Sequence, residues 1–280
     1  MRIVSLFAAL ILAAPLAAQE RSPLLRAFEL QATATSLPQA YVVPTENPGP
    51  QKDIRAARIQ DLPRSPVGTE HEGYNRFRQT LHRLDPPPFL DQSRRDVSAY
   101  TTADDTHILT RTWQDGGELY LLVGRFAPNY QTGQAIKLTF PIGPGGISAG
   151  DTDDHRPSDT ALAELSDGSL LLSLDTLSRC SGTRRYGVMV RLAPDLQSVM
   201  WVSPQRVAGG RGFAFNEASV FAIDGGSCEK DYLYELDIDS GQVTSRTVVP
   251  SAQDAGDFTT MHGKDLYLQL YNRFIHFQLP

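Results

Sequence analysis

The feature that most constrains the fold is a repeating unit of β-rich runs in the second half of the chain. The clearest unit extends from Arg211 to Pro250 and contains four short runs separated by turns rich in Gly, Asp, Asn or Ser. Its runs are Gly212–Phe215, Ala218–Asp224, Tyr232–Asp239 and Gln242–Val249. A period of about 50 residues with four strands is typical of β-propeller blades, which stack on one another to bury both faces of each sheet.

Three further stretches follow the same pattern. The preceding unit contains Thr160–Leu165, Ser169–Asp175, Tyr186–Ala193 and Gln197–Ser203. The last unit contains Asp257–Met261, Leu266–Tyr271 and Arg273–Leu279, and an earlier one contains His107–Trp113, Glu118–Phe126 and Ala135–Phe140. The sequence therefore predicts an all-β fold, a β-propeller of about four blades, with a β-sandwich as the structural alternative.

The last unit ends one strand short. In a propeller, an upstream strand can complete the last blade, so that both ends of the chain share one sheet and the ring closes. We expect Val97–Thr102 to supply this strand. We do not expect residues 25–67 to form a fifth blade.

Residues 19–95 differ in composition from residues 96–280. They hold ten of the 19 prolines and carry a net charge of +2, against −9 for the residues that follow. This contrast predicts a Pro-rich N-terminal arm at 19–95 and a β-propeller domain at 96–280.

One amphipathic helix is predicted within the arm, near residues 70–84. Thr69 and Glu72 form a capping box, and Asp85 with the three prolines after it ends the helix. The helix either docks on the acidic domain or serves as a partner-binding arm, since basic residues flank its apolar stripe.

The first 18 residues have the layout of a secretory signal peptide. A positive start is followed by an apolar run from Ile3 to Leu16, and Ala17-Ala18 precede polar residues. The run is short for a membrane span, which needs about 20 residues. We therefore expect cleavage after Ala18 and a periplasmic or secreted protein without a transmembrane segment, with an uncleaved anchor as the alternative.

Export affects the interpretation of the two cysteines. In an oxidising compartment, Cys180 and Cys228 are most simply a disulfide, and each follows the second strand of its unit. Two free thiols or half of a metal site are the alternatives.

Two turns carry a family resemblance. Residues 192–201 (LAPDLQSVMW) and 236–243 (LDIDSGQV) resemble a turn of quinoprotein-like and YVTN-like β-propeller repeats, in which Leu-Asp ends a strand and Ser/Thr-Gly precedes Val and Trp. The second copy has the Ser-Gly and the first has the Trp. The resemblance implies the propeller fold and carries over no quinone site, because no cofactor-binding motif matches.

Acidic and histidine side chains precede the innermost strand of several units. In a propeller these loops gather at one channel mouth, where carboxylates and imidazoles could bind a ligand or a divalent cation such as calcium. The candidate site residues are Asp105, His107, Asp153, Asp154, His155, Arg211 and Asp257. A solvated acidic loop is the alternative.

The sequence thus favours an exported propeller that acts as a binding or scaffold module for an unidentified protein or small molecule. The alternative is a propeller enzyme, a hydrolase, lyase or transferase, with an acidic and histidine site at the channel mouth. No catalytic residue is assigned, and no resident cofactor is predicted. The net charge of −6 argues against a nucleic-acid partner, which needs a basic surface.

Overall fold

Within the residues that the computed structural model describes, the chain forms eighteen β-strands and no helix. The described residues are 33–36, 56–61, 82–84, 97–102, 105–115, 118–129, 132–140, 161–175, 187–208, 212–224, 231–249, 256–270 and 273–279. The strands are β1 (Thr33–Ser36), β2 (Ala56–Asp61), β3 (His82–Leu84), β4 (Val97–Thr101), β5 (His107–Asp115), β6 (Glu118–Phe126), β7 (Gly133–Phe140), β8 (Ala161–Glu164), β9 (Leu170–Asp175), β10 (Gly187–Leu192), β11 (Val199–Val202), β12 (Phe213–Phe215), β13 (Ser219–Asp224), β14 (Tyr232–Asp237), β15 (Val243–Val248), β16 (Gly256–His262), β17 (Asp265–Leu270) and β18 (Arg273–Gln278).

These strands form four sheets. The first sheet has the order β1-β7-β6-β5-β4-β3, the second β11-β10-β9-β8, the third β12-β13-β14-β15 and the fourth β16-β17-β18-β2. Strand β1 is parallel to β7, whereas the pairs of the other three sheets are antiparallel. The prediction of an all-β chain with four-stranded antiparallel units is confirmed.

Strand β13 illustrates why the sheets stack. Val220 and Ala222 pack toward the second sheet, whereas Phe221 and Ile223 pack toward the fourth, and all four side chains are buried. Successive side chains of a strand point to opposite faces, so consecutive apolar residues supply a core on each side.

The sheets pack against one another in chain order. Separate apolar cores join the first sheet to the second, the second to the third, and the third to the fourth. These cores contain, among others, Ile108 with Leu172, Met189 with Leu236, and Phe221 with Leu268. No apolar core formed by the described residues joins the fourth sheet to the first.

The strand that completes the fourth sheet differs from the predicted one. It is β2, in which Ile59 pairs with Ile275 of β18. The predicted segment instead forms β4, which pairs with β5 through a tight turn in which Thr102 N–H donates to the Thr106 carbonyl at 2.9 Å. The local hairpin engages β4, so the more distant upstream segment pairs with β18. An upstream strand does complete the sheet, but the prediction of Val97–Thr102 is wrong.

The end of the predicted helix is also a strand. His82–Leu84 form β3, whose pairing with Thr101–Ala99 of β4 overrides the helical spacing of the local sequence. Residues 70–81 lie outside the described residues, so the rest of the helix stays a prediction. Together β1, β2 and β3 place three strands of segment 19–95 in the sheets.

Several predictions lie outside the described part of the chain. They concern the signal peptide at 1–18 and the disulfide between Cys180 and Cys228. The domain boundary at residue 95 also stays a prediction. Among the described residues, no helix has the length and apolar character needed to cross a membrane.

Candidate functional site at the loop end of the third sheet

The second and third sheets have two different ends. At one end, which we call the turn end, tight turns at residues 165–169, 193–198, 216–218 and 238–242 join neighbouring strands. At the opposite end, which we call the loop end, β8, β10, β12 and β14 begin.

Five of the predicted site residues belong to segments near the starts of first strands. Asp153, Asp154, His155 and Arg211 lie outside the described residues, before β8 and β12 respectively. Asp257 is the second residue of β16, the first strand of the fourth sheet. Four of these residues therefore precede, in the sequence, the strands β8 and β12, which begin at the loop end.

Asp105 and His107 lie elsewhere. The sequence interpretation took the strand of His107 as innermost, but β5 is flanked by β4 in the first sheet. Asp105 is exposed in the β4–β5 turn with a φ of 62°, and His107 pairs with Thr101 and with Phe126. Because β4 precedes β5 in this sheet, β5 begins at the opposite end from the one that the sequence predicts for an innermost strand. Asp105 and His107 therefore lie at that opposite end.

The contacts of Arg125 identify the end of the first sheet at which Asp105 and His107 lie. Its guanidinium donates to Glu164 Oε1 and to the Gly168 carbonyl, both at 2.8 Å, and to the Pro194 carbonyl at 3.2 Å. Arg125 is adjacent in sequence to Phe126, the cross-strand partner of His107. The structure therefore places Asp105 and His107 at the turn end, away from the starts of β8 and β12.

Arg191 makes a second connection at the turn end. Its buried guanidinium donates to Asp167 Oδ2 at 2.7 Å within the second sheet, and to the Ile238 carbonyl of the third sheet at 2.9 Å. The hydroxyl of Ser169, with Arg191 beside it, holds the pKa of the Asp167 carboxyl below its usual range. These charges join the sheets and are already engaged by protein groups.

The indole of Trp201 makes the third connection. Its Nε1–H donates to the Ile238 carbonyl at 3.0 Å, and its ring lies against Gly241. Gly241 has a φ of 69° and ends the turn that Asp237 stabilises by accepting hydrogen bonds from Ser240. The turn end is thus a network of structural contacts between sheets.

The loop end of the third sheet holds a different group of side chains. Asp224 ends β13 and pairs with Tyr232 at the start of β14, and Tyr234 pairs with Arg246 of β15. Asp224 and Tyr234 are each only 5% exposed. Arg206 approaches the same tyrosine from the segment between β11 and β12, with a backbone φ of 62°. We call these five residues the loop-end cluster.

The cluster faces the second sheet. Tyr232 and Tyr234 pack with the core between the second and third sheets, and their ring centroids are 6.1 Å apart. The guanidinium carbon of Arg246 lies 4.9 Å from the Tyr232 ring centroid, within the range of a cation–π contact. The cluster therefore combines a buried carboxylate, two phenols and two guanidinium groups at the loop end of the core between the second and third sheets.

The electrostatics of the cluster keep the Tyr234 phenol protonated. Burial, and then the neighbouring Asp224 carboxylate, raise the pKa of the Tyr234 phenol far above its ordinary value. At neutral pH this phenol remains a hydrogen-bond donor and cannot serve as a base. The arginines add fixed positive charge beside it.

The fourth sheet contains an imidazole–carboxylate pair that the sequence analysis did not predict. His276 Nε2 lies 2.7 Å from Asp265 Oδ1, and the His276 ring stacks on Tyr267 with centroids 4.7 Å apart. The cross-strand register of β17 with β18, in which Tyr267 pairs with His276, creates the contact.

The sequence also did not single out the loop-end cluster. Tyr232 and Tyr234 pack in the core between the second and third sheets. The signal available was their alternation on one strand. The position of Asp224 opposite Tyr232 required the strand register. As for metals, the described residues contain no group of three or more His, Cys, Asp or Glu side chains arranged to hold an ion.

Comparisons with known proteins add little to this geometry. No family model matches the sequence. No curated protein matches it either.

Some solved structures are similar in part. One is the computationally designed Ika8 protein, with 8% identity, 66% of this chain and 69% of that chain covered, and a TM-score of 0.28. Another is BamB from Moraxella catarrhalis, with 10% identity, 66% and 82% covered, and a TM-score of 0.25. A third is the polysaccharide lyase Uly1, with 8% identity, 65% and 57% covered, and a TM-score of 0.28. Similarity at this level establishes neither a fold nor a function.

Proposed function

We propose that this chain is an exported β-propeller that acts as a binding module in the periplasm and contacts its ligand or protein partner at the loop end. The observation that carries the proposal is the loop-end cluster. Its half-buried members Arg206, Tyr232 and Arg246 offer two guanidinium groups and a phenol, and the buried Asp224 and Tyr234 lie behind them. Guanidinium and phenol donors beside aromatic rings suit the recognition of polar partners. The raised pKa of Tyr234 keeps its phenol protonated, so that it can donate a hydrogen bond.

Ring closure is the part of the proposal that concerns the fold. The face of the first sheet away from the second buries Leu109, Leu122 and Phe126, which are at most 5% exposed. The face of the fourth sheet away from the third buries Thr260 and Phe274. Both outer faces of the row therefore carry buried side chains, which is compatible with a ring, and the described residues form no apolar core between the two faces.

Small-angle scattering tests the closure. Neighbouring sheets pack about 10 Å apart, so an open row of four sheets is elongated, whereas a ring is compact. We expect the scattering of the purified chain to fit a compact disc with a central minimum in density. An elongated profile would contradict the ring.

The binding role can be tested with extract from the periplasm of the source cells. The chain is immobilised as wild type, as the loop-end variants Tyr232→Ala and Arg206→Ala, and as the turn-end control Glu217→Ala, whose side chain is exposed. We expect at least one component to be retained by wild type and control and depleted at least fivefold by both loop-end variants. Equal retention by all four proteins, or no retention by any, would contradict the proposal.

A divalent cation such as calcium at Asp153, Asp154 and His155 is a subordinate part of the proposal, as is participation of Arg211 and Asp257. Asp105 and His107 are left out of it because they lie at the turn end. If the cation binds the folded chain, calcium will raise the melting temperature and EDTA will lower it. The double variant Asp153→Asn, Asp154→Asn should remove that difference. If calcium and EDTA both leave the wild-type melting temperature unchanged, the cation site is refuted and the rest of the proposal is unaffected.

Export has its own test. The chain recovered from periplasmic extract is expected to begin at Gln19 on N-terminal sequencing. Recovery of the intact Met1 start in the cytoplasmic fraction would contradict export.

A further inference from the structure

A polar pair recurs at the same two positions of three sheets. The bonds of the second, third and fourth sheets measure 3.0, 3.1 and 2.7 Å and join, respectively, Arg191 Nε to Ser169 Oγ, Ser219 Oγ to Glu235 Oε1, and His276 Nε2 to Asp265 Oδ1. Each member of a pair immediately precedes an apolar residue, and these apolar residues are cross-strand partners: Leu170 with Leu192, Val220 with Leu236, and Leu266 with Phe277. Arg125 holds the corresponding place in the first sheet, because Phe126 after it pairs with His107. We call Arg125, Arg191, Glu235 and His276 the connector residues.

The two arginine connectors also bind the next sheet in the row. Arg125 donates to the Pro194 carbonyl at 3.2 Å, and Arg191 donates to the Ile238 carbonyl at 2.9 Å. Pro194 follows Arg191 by three residues, and Ile238 follows Glu235 by three. The receiving carbonyl therefore lies at the same repeat position in both sheets. Glu235, the connector of the third sheet, does not continue this pattern, because an ionised carboxylate has no proton to donate.

His276 is the connector on the outer face of the fourth sheet. Ile275 and Phe277 beside it pack toward the third sheet, so the His276 side chain lies on the opposite face. In a closed ring the next sheet is the first, whose connector is Arg125, and the receiving position there is the carbonyl of Pro128 in an exposed turn. The described residues form no hydrogen bond between His276 and the first sheet, so this contact is inferred from the repeat.

A second acceptor of the first sheet fits the same pattern. Arg125 donates to the Gly168 carbonyl at 2.8 Å. Gly168 and Asp105 occupy the same position of two equivalent turns, because their φ angles are 80° and 62° and their N–H groups donate to the carbonyls of Leu165 and Thr102, respectively. The Asp105 carbonyl therefore corresponds to the second acceptor, and the exposed Asp105 side chain adds a negative charge beside it.

The bond to Asp265 makes His276 a donor to the first sheet in one protonation state only. An ionised carboxylate accepts, so the shared proton lies on Nε2. The neutral ring then has a lone pair on Nδ1, which a carbonyl oxygen repels, whereas the imidazolium donates from both nitrogens. Imidazole changes its charge within the range pH 5–8, and a guanidinium does not. His276 therefore differs from the arginine connectors, because pH determines whether it can donate to a neighbouring sheet.

We propose that His276 is a pH-dependent latch of the ring: its imidazolium donates to the Pro128 carbonyl and holds the fourth sheet to the first, and deprotonation releases this contact. The inference rests on the ring closure proposed above. Asp265 and Asp105 favour the imidazolium, whereas Arg111 and Lys137 oppose it. The other titratable or charged residues of the two surfaces are, on the fourth sheet, His262 and Tyr267, with Arg58 in register with His276, and, on the first sheet, His107 and Tyr120, with His82 in register with Thr101.

Amide hydrogen exchange of the full chain at pH 5.5 and pH 8.0 tests the latch. The reporter is the Asp105 amide, and the Gly168 amide in the equivalent turn of the second sheet is the internal control. Wild type is compared with His276→Arg, which is charged at both pH values, and with His276→Phe, which keeps a ring against Tyr267 but has no donor. His262→Gln is the control variant, because His262 is an exposed histidine in register with Asp265.

The measured quantity is the protection factor, the ratio of the intrinsic exchange rate to the observed rate at the same pH. We expect the protection factor of the Asp105 amide to be at least tenfold higher at pH 5.5 than at pH 8.0 in wild type and in His262→Gln. His276→Arg should keep the high value at both pH values, and His276→Phe should keep the low value at both. The protection factor of Gly168 should not change. If His276→Arg does not fold, the wild-type profile and His276→Phe still decide the result.

Three outcomes would overturn the latch. The first is equal protection of Asp105 at the two pH values in wild type, and the second is a His276→Phe variant with the pH dependence of wild type. The third is an equal change at Asp105 and Gly168, since that would mean that the His276–Asp265 pair acts on stability as a whole. Compact scattering together with any of these results leaves the ring in place, whereas elongated scattering at pH 5.5 contradicts both the ring and the latch.

Discussion

The indole ring of Trp201 in the second sheet lies against Gly241 in the third sheet, at a point where the backbone of Gly241 leaves no space for a side chain. A Cβ atom built on Gly241 would overlap the ring, and the residue has a φ of 69°. The same indole donates to the Ile238 carbonyl. Because Gly241 has no side chain, the indole of Trp201 can pack on its backbone, and this contact joins the second and third sheets.

Replacing Gly241 with alanine should therefore weaken the whole domain. Overlap with the ring and the left-handed backbone together should lower the free energy of unfolding by about 2–4 kcal/mol. Gly263→Ala is the matched control, because Gly263 has a φ of 59° but open space around its Cβ position. The control should lose only about 1 kcal/mol. Urea unfolding measures both, and equal losses would show that Trp201 does not constrain this position.

Arg191→Lys should also be destabilising. Lysine cannot replace a buried fork that bonds Asp167, Ser169 and the Ile238 carbonyl at once, so we expect a loss of about 2 kcal/mol. Asp239→Asn is the control, since Asp239 is 86% exposed and its ion pair with Arg191 is screened by water. Its effect should stay within about 0.5 kcal/mol. A tolerated lysine would mean that the turn end does not depend on this guanidinium.

Acid should weaken the domain through Asp167. Folding lowers the pKa of this carboxyl below its ordinary value of 3.8, chiefly because the Ser169 hydroxyl and Arg191 favour the ionised form. Its contribution to stability is therefore fully present above pH 3.8 and is lost as the pH falls through the lower folded pKa. Asp167→Asn should flatten the decline in unfolding free energy below pH 3.8. Parallel curves for wild type and Asp167→Asn would refute this linkage.

Truncation should distinguish an independent arm from an integral part of the sheets. A chain that begins at residue 96 lacks β2 and β3, so β18 keeps β17 but loses its outer partner and should expose a new edge. We expect this chain to aggregate or to melt without cooperativity. A chain that begins at residue 51 keeps β2 and, of the described strands, loses β1 alone. It should still unfold in one cooperative transition by circular dichroism. Cooperative unfolding of the shorter chain would restore the interpretation of 19–95 as a separate arm.

Local patterns predicted the strands well where neighbours in sequence are neighbours in space. The runs in the clearest repeat correspond to β12–β15, because each of these strands pairs with the next one through a short turn. The register that places Asp224 opposite Tyr232 also follows from such pairing, but side-chain patterns do not report it. The loop-end cluster therefore cannot be predicted from the sequence pattern and is revealed by the strand register of the folded chain.

Distant pairing explains what the sequence did not predict. Ile59 meets Ile275 only because β18 has an open edge once the rest of the fourth sheet has formed, and nothing local in Ala56–Asp61 encodes that edge. His82–Leu84 continue a helical spacing, yet the neighbouring strand β4 pairs with them.

The family resemblance was informative in an unexpected way. It found Trp201 in one copy of the turn and Gly241 in the other, as if each copy were incomplete. The structure shows that the two residues form one contact between adjacent repeats. A comparison of single repeats does not detect this contact, because Trp201 belongs to one repeat and Gly241 to the next.

The pairing of β2 with β18 has a kinetic consequence. Strand β2 must wait for β18, which follows it by more than 200 residues, so the fourth sheet cannot be finished until that whole stretch of chain is present. Contacts between segments so far apart slow folding, since a large loop must be ordered before any stabilisation is gained. The final folding step should therefore be slow and should leave the edge of β18 transiently open to chaperones.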